Sequence, residues 1–164
     1  MILMCQKDLN DQAGMERAFQ TYFRDIKKDC PGTLNDLLEA RFVACDFLSR
    51  SLALSSETKP WMANPGDILH GGITAAYLDL VMGLICRYYS GGRMTRTVHT
   101  DVSYLRAIPI GKNICIEAKA TKLGTGICFA EGRIYFPGEA ERLLATAVGT
   151  YSVQTPRQFQ AESV

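Results

Sequence analysis

One long apolar stretch constrains the fold of this chain more than any other feature of its sequence. It reads HGGITAAYLDLVMGLICRYY and spans residues 70–89, with Asp79 as the only charged residue between His70 and Arg87. A helix that crosses a membrane needs about 20 predominantly apolar residues, and these three side chains interrupt the stretch too often for that. We therefore predict a buried helix that is apolar almost all round, which the rest of the chain must cover on most sides.

The carboxylate inside this stretch needs an explanation, because an ionised side chain is costly to bury without partners. Asp79 is either satisfied by backbone groups or by a hydroxyl such as that of Thr74, or it belongs to a functional site. The motifs that surround it along the chain favour the second interpretation, as described below.

The composition limits the classes of function that the chain can have. Its 164 residues suffice for one domain, and 18 basic against 17 acidic residues leave a formal net charge of only +1, without the basic excess of a nucleic-acid-binding protein. The six cysteines form no CxxC pair and no zinc-ligand pattern with the two histidines. Because no secretory signal is present, we expect a reduced, cytoplasmic protein without a membrane anchor.

Periodic patterns predict a helix first and strands later. Apolar residues at helical spacing predict an amphipathic helix over residues 12–29, and the segment TLNDLL that follows permits a further helical turn. Residues 38–57 have the composition of two strands. Four strand-like stretches follow the apolar helix: RTVHTDVSYLRAI, KNICIEAKATKL, GICFAEGRIYF and RLLATAVGTYSV. The turn signals PIG, GTG and PGEAE that separate them are of hairpin type.

This order of elements predicts an α+β fold. A long, curved antiparallel sheet folded around the apolar helix would bury it, and helices or a second copy of the chain would cover the open sheet edges. We expect three parts: a helical extension over residues 1–37, one domain over residues 38–154, and a flexible polar tail over residues 155–164.

Short motifs along this order resemble one protein family. They are Asn64, the tripeptide His70-Gly71-Gly72, Asp79 nine residues after the histidine, and SYLRAIPIG at residues 103–111. Together they resemble the hotdog-fold acyl-CoA thioesterases, most closely the PaaI-like branch, although Asp67 stands where that family usually has a glycine. The resemblance implies a hotdog fold, in which a curved antiparallel sheet wraps one long helix, and hydrolysis of an acyl-CoA thioester to a free carboxylic acid and coenzyme A.

The resemblance also implies the roles of the central residues. Asp79 would be the general base or the nucleophile, while Gly71 and Asn64 would bind and polarise the thioester carbonyl. A helix start suits the second task, because its unpaired N–H groups and positive dipole end attract a developing oxyanion. Asp79 lies about two and a half turns beyond His70, on roughly the opposite side of the helix. In the family the acid of one subunit faces the helix start of another, so we expect a homodimer or homotetramer with the active site at the subunit interface.

Further residues complete the predicted site. Thr97 would position the attacking water, and His99, which shares the face of Thr97 by the two-residue strand period, would contribute to substrate binding. His70 and Gly72 at the helix start and Lys122 near a strand end are the other predicted substrate-binding residues. No metal ion and no redox cofactor is needed for such a hydrolysis.

Two rival functions are compatible with the same fold. A non-catalytic hotdog module would bind acyl-CoA or acyl carrier protein as a sensor or scaffold, but it would have no need of Asp79. A hydratase or dehydratase would use an Asp and a His close in sequence on a different loop, which neither DILH nor HTD resembles. Release of thiol from an acyl-CoA ester distinguishes the hydrolase from both.

Overall fold

The structure is a computed structural model that describes residues 11–154, so the predicted flexible tail lies outside the described residues. Its helices are α1 (Gln12–Asp29), α2 (Leu34–Leu37) and α3 (Gly71–Tyr89), and a 3₁₀ turn covers Pro60–Met62. Its strands are β1 (Arg41–Asp46), β2 (Ser51–Glu57), β3 (Thr95–Tyr104), β4 (Asn113–Leu123), β5 (Ile127–Tyr135) and β6 (Leu143–Val153).

The six strands form one antiparallel sheet in the order β1-β2-β4-β5-β6-β3. α3 packs against the inner face of this sheet and contacts every strand from β2 to β6. Burial along β4 and β5 alternates from one residue to the next, as expected where one sheet face meets a core and the other faces outward. A curved antiparallel sheet around one long helix confirms the predicted α+β hotdog architecture.

Two glycines of the sheet let α3 approach it closely. A Cβ atom at Gly132 of β5 would lie 3.0 Å from Cδ2 of Leu78, and one at Gly149 of β6 would lie 3.2 Å from Cε of Met82. The helix side chains occupy the space that larger residues of the sheet would fill. Among the described residues, neither α3 nor any other helix is long and apolar enough to cross a membrane.

α1 packs against the edge strand β1 and contacts the C-terminal end of α3. Asp11 begins the helix by accepting a hydrogen bond from the N–H of Gly14 (2.7 Å). The fully buried ring of Phe19 lies 5.5 Å from the ring of Tyr88 in α3 and 6.4 Å from that of Phe42 in β1, measured between centroids. The amphipathic pattern over residues 12–29 therefore corresponds to a packing helix.

The connection between β3 and β4 differs from the predicted hairpin. The signals GTG and PGEAE join paired neighbours, β4 with β5 and β5 with β6, but β3 pairs with β6 while β4 pairs with β2 and β5. Residues 105–112 lead from the edge strand β3 to β4, which lies between β2 and β5. Within this connection the carbonyl of Ile108 accepts a hydrogen bond from the N–H of Leu69 (2.8 Å). The hairpin prediction for PIG is wrong because a local turn signal does not determine which strands pair at long range.

Candidate active site

Asp79 lies in the third turn of α3, on the side that faces β3. Its side chain is half-buried, and its Oδ1 atom accepts a hydrogen bond from Oγ1 of Thr97 (2.8 Å). The structure thus brings the predicted acid and the predicted hydroxyl into direct contact. Because the threonine hydroxyl gives its one proton to Asp79, only its lone pairs remain, and these can accept a hydrogen bond from a water molecule.

A second hydroxyl contacts the same carboxylate oxygen from β6, the strand that pairs with β3. The hydroxyl of Tyr151 in β6 lies 3.0 Å from Oδ1 of Asp79 and 3.3 Å from its backbone oxygen, and donates to both. Burial and then the negative charge of Asp79 raise the pKa of Tyr151, because both disfavour a phenolate at this position. The hydroxyl therefore keeps its proton and acts as a donor.

The start of α3 has one N–H group that is occupied and one that is open. His70 is the N-cap residue, and its Nδ1 atom accepts a hydrogen bond from the N–H of Gly72 (2.9 Å). The N–H of Gly71 has no acceptor among residues 11–154. Of the two glycines, Gly71 is thus the one whose N–H can bind a substrate oxygen at the positive end of the helix dipole.

The loop that leads to this helix is held by Asn64. Its Oδ1 atom accepts hydrogen bonds from the N–H groups of Gly66 (2.8 Å) and Ile68 (3.4 Å), so only the amide nitrogen is left to contact a substrate. Asp67, where the family usually has a glycine, adopts a φ of +56°, which is the left-handed conformation that a glycine would supply.

A groove of about 490 Å³ runs between α3 and β3 and contains the acid. The residues that line it are Gly72, Ala75, Ala76, Asp79, Thr97, Thr100, Val102 and Tyr104. The hydroxyl of Tyr104 donates to the carbonyl of Gly71 (3.1 Å) and ties the end of β3 to the helix start. Oγ1 of Thr100 is buried, without a hydrogen-bond partner among the described residues.

Two predicted substrate-binding residues lie on the other face of the sheet. Thr97 pairs with Tyr151 and His99 pairs with Thr150, so β3 has one extra residue between these two pairs. This bulge reverses the alternation of side chains, and His99 does not share the face of Thr97 as predicted. Exposed Lys122 of β4 likewise lies on the outer face, where its strand pairs with exposed Phe129.

The helix start and the acid are too far apart in one chain to act on the same carbonyl. Asp79 lies eight positions after Gly71, which corresponds to about 12 Å along a helix axis. A reacting carbonyl must lie within about 3 Å of its hydrogen-bond donor, and the acid or its water must reach the carbonyl carbon at a similar distance. A single chain therefore supplies both functional groups without bringing them together.

The cysteines do not offer an alternative nucleophile. All five cysteines of residues 11–154 are free thiols, and none lines the groove. Burial raises the pKa of Cys86, the cysteine of α3, to about 12, so this thiol is protonated at neutral pH and is a poor nucleophile.

Tyr151 is the contact that sequence reasoning missed. The signal available for it is the inner face of β6, where Ala145, Ala147 and Gly149 precede the tyrosine. Three small residues followed by a tyrosine on the same face indicate that the tyrosine ring packs over the small residue before it. The partner of the hydroxyl lies 72 positions earlier on a helix, however, and no local pattern indicates that contact.

Comparison with known proteins identifies relatives of this fold. Residues 66–141 match the sequence profile of the thioesterase superfamily. No curated protein matches the sequence significantly. A solved structure of thioesterase superfamily member 2 from zebrafish is 23% identical, with a TM-score of 0.73, and the match covers 84% of this chain and 97% of that one.

Two bacterial structures have the same fold. A putative thioesterase of Ralstonia eutropha, described as phenylacetic acid degradation-related, is 24% identical over 80% of this chain and 99% of its own, with a TM-score of 0.68. The protein smu.793 of Streptococcus mutans, solved with bound acetyl-CoA, is 17% identical over 70% of this chain and 88% of its own, with a TM-score of 0.63. At these identities the structures establish the fold that is shared.

Proposed function

Residues 66–141 match the thioesterase superfamily and the chain has the hotdog fold of its structural relatives, and from this premise we propose that it hydrolyses an acyl-CoA thioester. The products would be a free carboxylic acid and coenzyme A. The observation that carries the proposal is the Asp79 carboxylate, held 2.8 Å from the Thr97 hydroxyl in an open groove beside a helix start with a free N–H. Acetyl-CoA bound to the Streptococcus mutans relative supports coenzyme A as the thiol part.

The N–H of Gly71 would bind the carbonyl oxygen of the thioester. Its contribution increases as that oxygen becomes negatively charged in the tetrahedral intermediate, and one preorganised donor is typically worth about 3–4 kcal/mol there. The amide nitrogen of Asn64 is the second candidate donor, since its side-chain oxygen holds the loop. His70 and Gly72 would support this arrangement through the capping hydrogen bond rather than by proton transfer.

Asp79 would supply the other half of the reaction by one of two routes. As a general base it takes a proton from a water molecule that Thr97 also contacts, and the water oxygen adds to the carbonyl carbon. As a nucleophile it forms a mixed anhydride that water then hydrolyses. In either route the carbon–sulfur bond breaks, coenzyme A leaves as a thiolate that takes up a proton, and the acyl group leaves as a carboxylic acid.

The complete site would require a second copy of the chain. Gly71 and Asp79 are about 12 Å apart along one helix, so the acid of one subunit would face the helix start of the other. β3 is an edge strand with its outer side unpaired in the described chain, and Val98, Tyr104 and Leu105 at this edge are exposed apolar or aromatic residues. Such an edge is suited to pairing with a second copy, in a homodimer or a homotetramer.

Lys122 and His99 stay predicted substrate-binding residues on the outer face of the sheet. They would contact coenzyme A if its phosphates extend beyond the groove, or if that coenzyme A is bound in the site of a neighbouring subunit.

The experiment follows thiol release from a panel of short, long and aromatic acyl-CoA esters with a thiol-reactive dye. Wild type is compared with Asp79→Asn and with Asp101→Asn, a matched control because Asp101 is an exposed acid of β3 on the outer sheet face. Binding of coenzyme A to each variant is measured in parallel. We expect kcat of Asp79→Asn to fall by at least about 10³-fold, with coenzyme A binding retained, and Asp101→Asn to resemble wild type.

A different result would identify the rival function. If wild type binds coenzyme A but releases no thiol from any ester, the hydrolase proposal is wrong and the chain is a binding module. If Asp79→Asn keeps full activity, the chain is a hydrolase that uses another acid.

A further inference from the structure

Both hydrogen bonds to the Asp79 side chain end on the same oxygen atom. Thr97 donates to Oδ1 from one side at 2.8 Å and Tyr151 donates to it at 3.0 Å. The other oxygen, Oδ2, accepts no hydrogen bond from any residue in the range 11–154. The carboxylate is therefore divided into one anchored oxygen and one that is free to meet water or a carbonyl carbon.

The ring of Tyr151 fills space that two glycines leave open. It is 1% exposed and lies between α3 and β6, where a Cβ atom at Gly83 would be 3.4 Å from Cε1 of the ring. A Cβ atom at Gly149 would be only 2.7 Å from Cε2 and 3.0 Å from the hydroxyl oxygen. Any other residue at position 149 would push the hydroxyl away from Asp79, so this glycine provides the space that the contact needs.

The two donors differ in how firmly they are held. Thr97 lies on the exposed edge strand β3, next to the bulge, whereas Tyr151 belongs to β6, which is paired on both sides. A buried ring on a doubly paired strand loses little further freedom when its hydroxyl binds the carboxylate. Tyr151 is therefore the more rigid of the two donors, and it is suited to set the rotamer of Asp79.

We propose that Tyr151 is a positioning residue: by anchoring Oδ1 of Asp79 it directs Oδ2 into the groove as the oxygen that takes the proton of water or attacks the thioester. This assignment rests on the hydrolase function proposed above and deepens it, because it names the reacting oxygen and the residue that selects it. Tyr151 does not itself touch the substrate. Its effect is exerted through the orientation of the carboxylate, so it changes kcat and leaves substrate binding intact.

The test removes only the hydroxyl. Tyr151→Phe keeps the ring between the two glycines, and 4-aminophenylalanine introduced at position 151 keeps the ring and restores an N–H donor at the same place. Tyr77→Phe is the matched control, since Tyr77 is a fully buried tyrosine of α3 whose hydroxyl bonds to Ser56 (2.8 Å) and to the carbonyl of Leu38 (3.0 Å), away from Asp79. Both phenylalanine variants lose buried hydrogen bonds, but only one of them loses the contact with the acid.

We expect Tyr151→Phe to lower kcat by about 10- to 100-fold with KM changed less than about twofold, because the lost contact positions the acid rather than the substrate. The 4-aminophenylalanine variant should recover most of this loss, and Tyr77→Phe should keep the wild-type kcat. Gly149→Ala should reproduce the loss by displacing an intact tyrosine. A wild-type kcat in Tyr151→Phe, or an equal loss in Tyr77→Phe, would overturn the proposal.

A second readout does not depend on turnover. Three-bond NMR couplings of Asp79 report its χ1 angle, the torsion that places the carboxylate within reach of the Tyr151 hydroxyl, and we expect one rotamer in wild type and averaging between rotamers in Tyr151→Phe. If wild type releases no thiol, the hydrolase function fails, while this measurement still decides whether Tyr151 orients the acid. One unchanged rotamer in the variant would overturn the assignment whatever the activity.

Discussion

Asp67 has a backbone conformation that a side chain makes costly. Its φ of +56° lies in the left-handed region, where L-residues other than glycine are disfavoured by roughly 1–2 kcal/mol and Asp and Asn less than most. The loop accepts this cost because the hydrogen bonds of Asn64 hold the turn on either side of Asp67. The residue lies four positions before Gly71, so the strain is stored next to the candidate site.

We predict that Asp67→Gly raises the free energy of unfolding by up to about 1 kcal/mol, because relief of the left-handed strain exceeds the entropy that glycine loses on folding. Asp67→Val should lower it by more than about 1 kcal/mol, since a β-branched side chain fits this conformation worst. Urea denaturation of both variants beside wild type measures the difference. Equal stabilities of the glycine and valine variants would show that the loop relaxes to a different turn.

At the scale of one element, two successive N–H groups at the start of α3 differ in their hydrogen bonding. The N–H of Gly72 is used by the His70 cap, and that of Gly71 is open. Gly71 is also the first residue of the helix, a position that favours proline, because its N–H has no partner inside the helix and the fixed φ of proline suits a helix start. His70 before it has φ −61° and ψ 136°, a conformation that a following proline permits.

We therefore predict that Gly71→Pro folds but loses about 10²- to 10³-fold in kcat, because it deletes the donor to the developing oxyanion. Gly71→Ala is the matched control: it keeps the N–H and adds a Cβ that meets the Tyr104 ring at an ordinary 3.4 Å. The alanine variant should keep kcat within a few-fold of wild type. Equal losses in the two variants would indicate that space near Tyr104, and not the N–H, is what the reaction requires.

At the scale of the whole molecule, the distance between Gly71 and Asp79 predicts active sites that are shared between subunits. If each active site combines the helix start of one subunit with the acid of another, two differently inactivated chains can complement each other. A chain with Asp79→Asn still has an intact Gly71, and a chain with Gly71→Pro still has an intact Asp79. In a mixed dimer one of the two sites then contains both intact groups.

Co-expression of these two variants with different affinity tags, followed by purification through both tags, isolates the mixed dimer. We predict about half of the wild-type activity per dimer, and about a quarter in an unselected mixture formed by random pairing. The same variants purified singly serve as controls and should stay inactive. Mixed dimers that are as inactive as their parents would show that each site is built within one chain.

Local periodicity was sufficient to predict most elements of the fold. The apolar pattern of residues 70–89 corresponds to α3, and the helix of residues 12–29 corresponds to α1. The hairpin expected at PIG does not exist, because β3 joins the far edge of the sheet beside β6. Pairing partners depend on how the whole sheet closes around α3, and a turn signal of three residues contains no information about that.

Spacing along the chain was enough to predict the central helix, its start at Gly71 and Gly72, and the one acid inside its apolar run, because these features belong to a single element. Which side chains contact that acid depends on how the strands pair. A one-residue bulge after Thr97 turns His99 to the outer face, and the pairing of β3 with β6 brings Tyr151 to Asp79. Such contacts join residues far apart in the chain, and their geometry depends on sheet register, which no local pattern encodes.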